Sequence, residues 1–469
     1  MKAVRKDPLR FSRYTGFLLW QEFIRGDADR RRRFVARILW RCERLFGLYA
    51  IAAGLFMIFH AGRCAFLPPE DRARQWRQRR WMWAISGLEN HPYLKSWTMS
   101  RYENVPKVVI TGMGSIGDVL QITPVLRTLR ERLPGAEICL LHRCAAAKDI
   151  LYKNPHINSV AWADFYTFAQ IKKAVATGGG ADLILDIESA KYIVTYARAP
   201  KACRSPRLDA LLPESFFAKA EAGLSIWHGA TTTTRGADGS FSWPEERKHY
   251  HYLDVLGTTG NLPIDRYTPL DFSMEPDDSS VLHRLPRDVP IITVQNGVDC
   301  DVVNWTRVVD RRPTKLLPRN TWGEIVPLLQ EKGFCIVQLG AAYDEAIEGV
   351  SFDLRGQTTL REAAAVLKEA FCHVGTEGGL THLARAVETK SVVLFGPTAV
   401  EFFGYPQNIN LTVGTCGACW LSAKDWYIYC PRGLDEPECM TGHRAETIMG
   451  AVSSLRADNE REHRALHLA

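Results

Sequence analysis

Residues Lys107 to Arg143 read KVVITGMGSIGDVLQITPVLRTLRERLPGAEICLLHR, and the order of patterns within them decides the fold. A short apolar run ends in a turn carrying Gly112, Gly114 and Gly117, a stretch with helical spacing follows, and a second apolar run closes the unit. This is the pattern of a strand, a crossover helix and a parallel strand. The helix begins directly after the glycine turn, so its first N–H groups have no partner within the helix. ADLILDIES, residues 181–189, continues the series as a further strand.

Farther along, residues 200 to 288 are rich in Thr, Gly, Asp and Pro and read as loop and helix rather than sheet. A second alternating series then starts. VPIITVQNGV, TWGEIVPLLQEKG, FCIVQLG, LREAAAVLKEA, FCHVGTEGG, LTHLARAVETK and SVVLFGPT follow one another between 289 and 398. Two α/β domains are therefore expected, at 104–288 and 289–450, with a tail at 451–469. Their chemistry belongs in the cleft at the carboxyl ends of the strands.

The chain has 469 residues, 46% of them hydrophobic and 24% charged, which excludes a disordered or fibrous class and suits two or three domains. Charge is unevenly spread. Residues 1–103 hold 21 Lys or Arg against 9 Asp or Glu, although the whole chain carries only +7. Within this basic region, Leu45 to Gly62 is an 18-residue run without formal charge, flanked by arginines on both sides and accompanied by Trp20, Trp40, Trp76, Trp81, Trp83 and Trp97. Basic residues interleaved with tryptophan suit a helical extension lying on an anionic membrane surface, and no nucleic-acid partner is expected. The run is short for a span and the arginines give no sidedness. No cleavable signal peptide is expected.

The glycines fit the dinucleotide fingerprint G-x-G-x-x-G, which taken alone implies a dehydrogenase. The second strand, however, leads into His142 and Arg143 instead of the acidic residue that would hold a ribose. An NADP-dependent enzyme with Arg143 on the 2′-phosphate is thus the weaker reading, and it leaves Asp118 and the second domain without a task.

Lys107 to Ile138 resembles the opening of glycosyltransferase family 9, the bacterial heptosyltransferases. TKLLPRNTW, with Thr314, Lys315, Pro318 and Trp322, resembles the family's lysine motif, and VGTEGGLTHLA followed by VVLFGPT resembles its nucleotide motif. The resemblance covers about 105 to 450. It implies a GT-B fold, two Rossmann-like domains facing across a cleft, with the acceptor on the first domain and the donor on the second. It also implies transfer of a sugar, heptose from ADP-heptose, to a lipopolysaccharide-type or other glycan, or to a protein as an O-heptosyltransferase. The enzyme would work in the cytoplasm, peripheral to the inner membrane. A member of the fold without catalysis, serving as a membrane scaffold, is the alternative of another class.

By the same resemblance Asp118 is the general base and Lys315 the contact to the donor phosphates. Asn296, Gly297, Thr314, Glu377, Gly378, Gly379, Leu380, Thr381 and His382 complete the donor site. The chemistry is consistent with this: a hydroxyl must lose a proton and a departing diphosphate must be held by positive charge. Glu377 and Gly378 depart from the family's Asp followed by Ser or Thr, which leaves the donor's identity open.

Eight of the twelve cysteines are scattered singly, in the manner of reduced core residues. Cys416, Cys419, Cys430 and Cys439 instead crowd into 24 residues, a set suited to a tetrahedral structural site. Some family members with similar cysteine sets hold iron, so iron and zinc both stand as candidates, with no cofactor required for transfer. The oligomeric state is open, a homo-oligomer included.

Overall fold

The structure, a computed structural model, describes residues 107–112, 114–142, 144–162, 183–187, 191–194, 234–298, 312–414, 416–423 and 426–468. All of them lie in one compact unit, Arg80–Ala469. The N-terminal extension and its expected membrane association lie outside the described residues. Among the described residues no helix is long and apolar enough to cross a membrane.

The first sheet is built from β1 (Lys107–Gly112), β2 (Glu137–His142), β3 (Ser159–Trp162), β4 (Leu183–Asp186) and β5 (Lys191–Val194), in the order β3-β2-β1-β4-β5. All neighbours are parallel except β4 and β5. Helix α1 (Ile116–Arg132) makes the first crossover and α2 (Ala147–Ile150) lies in the second. Inside α1, Pro124 has no N–H to give the Leu120 carbonyl. The Thr123 hydroxyl takes that place, donating to it at 2.7 Å, so the buried helix continues through the proline.

Between the sheets stand a hairpin of β6 (Thr234–Arg235) and β7 (Phe241–Ser242), helix α3 (Tyr252–Gly260) and a 3-10 helix at Pro276–Arg284. The second sheet runs β10-β9-β8-β11-β12-β13, from β8 (Ile291–Gln295), β9 (Cys335–Gln338), β10 (Phe352–Asp353), β11 (Cys372–Thr376), β12 (Ser391–Leu394) and β13 (Ile409–Leu411), all parallel. Its helices are α4 (Arg319–Glu331), α5 (Leu360–Glu369), α6 (Gly379–Ala386), α7 (Val400–Phe403), α8 (Glu438–Thr441) and α9 (Ala445–Leu468). Both sheets reverse strand order beside their first strand, the doubly wound arrangement that opens a crevice at the carboxyl ends.

One apolar core runs through both halves, from Leu126 and Leu140 to Ala364, Leu383 and Tyr405. A second, with Ile292, Trp322, Val374 and Met449, fills the other face of the second sheet. Each large side chain sealed in this way contributes roughly 1.5–3 kcal/mol relative to exposure. Helix α9 crosses the expected boundary at 450: Ile448, Val452 and Leu455 are all buried in the second core, so its first turns belong to the domain.

Candidate active site

Strand β1 releases the chain into a turn in which Gly114 has φ +118°, a conformation a side chain resists. Ser115 then caps α1, and the cap is reciprocal. The Asp118 carboxylate accepts from the Ser115 N–H at 2.7 Å and from its hydroxyl at 3.3 Å. Burial raises the Asp118 carboxyl above the usual Asp range, against the opposing pull of the Ser115 N–H. A carboxylate so raised is a stronger base than a solvated one.

In the second half, Asn296 follows β8 and is wholly buried. Its amide accepts from Leu317 N–H at 3.0 Å and donates to the Leu317 carbonyl at 3.1 Å, stapling the lysine-bearing loop to the sheet. Thr314 fixes the other end of that loop through its N–H to the Tyr427 carbonyl and its hydroxyl to that of Trp426, both at 2.9 Å. Held from both ends, Lys315 lies with its ammonium 5.7 Å from the centre of the Trp426 ring. It donates to the Glu377 carboxylate at 2.5 Å and to the Glu377 carbonyl at 3.1 Å.

Glu377 follows β11 and is buried, as is His382. Burial pushes the Glu377 carboxyl up, but the Lys315 charge and the hydrogen bond from His382 outweigh that and hold it well below the usual Glu range. Its other oxygen lies 3.3 Å from His382 Nε2, and His382 Nδ1 lies 2.6 Å from the Tyr405 hydroxyl. Gly378 precedes α6 and provides no side-chain cap, and the first turn of α6 has no acidic residue. The start of α6 therefore offers N–H groups to an anion.

The two halves meet at these helix starts. A Cβ added to Gly117 would lie 2.4 Å from His382 Cδ2, and one added to Gly379 would lie 3.3 Å from Ile116 Cβ. Glycine at 117 is what lets His382 come so close to the turn that holds Asp118. A cleft of about 490 Å³ opens there.

Asp118, Lys315, Glu377, His382, Gly114, Gly117, Gly297, Gly378, Gly379 and Leu380 all line it. Gly112 packs against His142 behind the turn. Asn296 and Thr314 support the lysine loop from outside the cleft, and the Thr381 hydroxyl is spent on the Thr376 carbonyl at 3.2 Å. Trp322, quoted with the lysine motif, is a core residue. Sequence reasoning missed Gln121, Tyr343, Asp344, Trp420 and Trp426, which also line the cleft. Gln121 had a legible signal, since it follows Asp118 by three residues on the same helix face.

The cysteine quartet is met only in part. Cys416, Cys419, Cys430 and Cys439 line one small cavity together with Arg432 and Pro397. Among the described residues, however, no group of three or more His, Cys, Asp or Glu is placed to hold a metal ion. Burial, with smaller contributions from Cys430 and Cys416, pushes the Cys419 thiol up to about 12. It also raises that of Cys439.

Residues 308–421 match the model of glycosyltransferase family 9 (heptosyltransferase). The chain is 24% identical over 308 residues to lipopolysaccharide heptosyltransferase 3 of Escherichia coli K12, covering 61% of this chain and 81% of that one. It is 22% identical over 321 residues to lipopolysaccharide heptosyltransferase 2 of Salmonella typhimurium, covering 63% and 84%. Among solved structures it is similar to a family 9 glycosyl transferase from Veillonella parvula, with 16% identity, 76% and 100% coverage and a TM-score of 0.48. The match to the family 9 model over residues 308–421, with the likeness to curated heptosyltransferases, indicates that the chain is a glycosyltransferase.

Proposed function

We propose that this glycosyltransferase transfers heptose from ADP-heptose to a hydroxyl of a lipopolysaccharide-type glycan, with Asp118 as general base. The observation that carries the reading is the meeting, in one cleft, of a carboxylate whose proton affinity is raised with a lysine and an uncapped helix start from the opposite half. The heptosyltransferases that the chain resembles support the sugar and the class of acceptor.

In this mechanism Asp118 takes the proton of the acceptor hydroxyl as its oxygen bonds to the anomeric carbon. The bond from that carbon to the diphosphate oxygen breaks, and its electron pair leaves with the nucleotide. Lys315 and the N–H groups at the start of α6 stabilise that developing charge. The acceptor lies toward the first domain and the nucleotide toward the second, so each sheet holds one reactant in line with the other.

A dinucleotide enzyme is disfavoured by a specific contact. The start of α1, where a pyrophosphate would dock, is already closed by the Asp118 carboxylate. A scaffold without catalysis has no need of a carboxyl held above its ordinary range.

The test is Asp118→Asn. The amide keeps the shape but cannot take a proton, so ADP binding is expected to persist while heptosyl transfer falls about 10²–10⁴-fold. Transfer at the wild-type rate would remove Asp118 from the mechanism.

A further inference from the structure

We propose that Tyr405 is the positioning residue of the donor site, its hydroxyl giving its proton to Nδ1 of His382 and so fixing the neutral tautomer whose Nε2–H faces Glu377 and the cleft. The inference rests on the donor site described above and concerns a residue that no motif singled out.

Tyr405 follows α7 and is completely buried. Its hydroxyl is 2.6 Å from His382 Nδ1, and the two rings meet edge to face, 5.5 Å apart at 89°. The direction of the proton follows from the far side of the imidazole. Nε2 faces a Glu377 oxygen at 3.3 Å, and that carboxylate is ionised beside Lys315. A carboxylate only accepts, so Nε2 must carry hydrogen. Nδ1 of a neutral ring is then an acceptor, and the tyrosine hydroxyl fills it.

The surroundings of Tyr405 agree. Burial raises its phenol far above the ordinary range, so the proton stays on the oxygen to be donated. The Gln121 side chain interacts with the same hydroxyl. The amide nitrogen of Gln121 is buried and lacks a partner in good hydrogen-bond geometry. His251, whose ring lies 5.6 Å from that of Tyr405, accepts from Leu253 N–H through Nδ1, and burial holds it neutral with a value of about 3.

Hydrogen bonds therefore run in one direction, from Tyr405 to His382 to Glu377, where Lys315 joins from the other side. Gly117 lets the imidazole pack against the turn bearing Asp118, so a rotated ring would meet that backbone. The tyrosine thus presents to the cleft a neutral N–H donor with a fixed aim.

The tautomer is read by nuclear magnetic resonance on the full chain labelled with ¹⁵N-histidine, the His382 signals being identified by their loss in His382→Gln. Bare Nδ1 and protonated Nε2 are expected in the wild type without ligand. Tyr405→Phe keeps the ring in the core and is expected to give mixed tautomers and to lower kcat/KM for ADP-heptose about tenfold, the upper range for one hydrogen bond. A wild-type His382 protonated on both nitrogens or on Nδ1 alone overturns the proposal, as does a Tyr405→Phe enzyme unchanged in both tautomer and kcat/KM. If the expected tautomer is found but ADP-heptose is not turned over, the assignment of the donor fails while that of the Tyr405 hydrogen bond stands.

Discussion

The two sheets deliver two helix starts to the same cleft, and the starts are opposite in character. The start of α1 follows the glycine-rich turn and is closed by its own Asp118 carboxylate. The start of α6 follows β11 without a cap or an acidic first turn. A helix start attracts negative charge by a few tenths to about 2 kcal/mol, depending on burial. Which of the two binds a phosphate is therefore decided by whether the chain has already placed a carboxylate there. The glycine count misleads, because at α1 the glycines make room for the Asp118 carboxylate and for the opposing His382.

The most forceful challenge to this division is Lys315→Ala. It removes the cation beside the open start and strands Glu377 without its ammonium partner. Transfer should fall about 10²–10³-fold, as for loss of one preorganised contact to a developing negative charge. The melting temperature should fall too, since a broken buried pair costs roughly 3–5 kcal/mol. Wild-type transfer and ADP affinity in this variant would move the anion site away from α6.

Gly378→Asp sharpens the contrast by converting the second start into a copy of the first. Gly378 has a fully extended backbone at φ 173°, and a Cβ there would come no closer than 3.8 Å to the Thr376 carbonyl, so a side chain fits. The new carboxylate would cap α6 and occupy the anion's place. ADP affinity measured by calorimetry is expected to fall at least about tenfold with the melting temperature kept, the opposite pairing from a damaged fold. Unchanged ADP affinity would show that the start of α6 does not face the nucleotide.

The smallest effect concerns the two carboxyls, one from each half, which titrate in opposite directions. Asp118 is raised, so it favours the fold only while protonated, below its unfolded value near ~3.9, and that contribution is lost as pH rises through its folded value. Glu377 is lowered by Lys315 and His382, so its contribution is present above its unfolded value near ~4.3 and is lost only as pH falls through the folded one. On acidification from neutral, kcat/KM should thus decline through Asp118 while the melting temperature holds, with the fold weakening at lower pH. Activity and stability lost together would refute the separation.

Much of this was legible in the sequence. Alternating strand and helix patterns announced both sheets, and Asp118, Lys315, Glu377 and His382 all reach the cleft. These residues sit at the ends of strands or the starts of helices, where local pattern fixes position. What remained hidden depends on contacts distant in sequence. Thr314 meets Trp426 across 112 positions, and Asn296 turns back to the lysine loop across 21, so the contacts by which both hold that loop could not be read from spacing. Tyr405 reaches His382 from 23 positions away, after a strand and a short helix that no periodicity relates to it.

The Lys315–Glu377 pair also bears on selectivity among the anions of a cell. A lone buried lysine at the mouth of an uncapped helix would attract chloride, sulfate and inorganic phosphate as readily as a substrate. Here the side chains of the pair are only 13% and 7% exposed, and the ammonium already has its counterion. A stray phosphate gains little by intruding, whereas a nucleotide brings its base and sugar as further contacts and can offset the cost of parting the pair. At the proposed donor site the internal carboxylate would thus act as a filter, disfavouring small anions relative to the larger ligand.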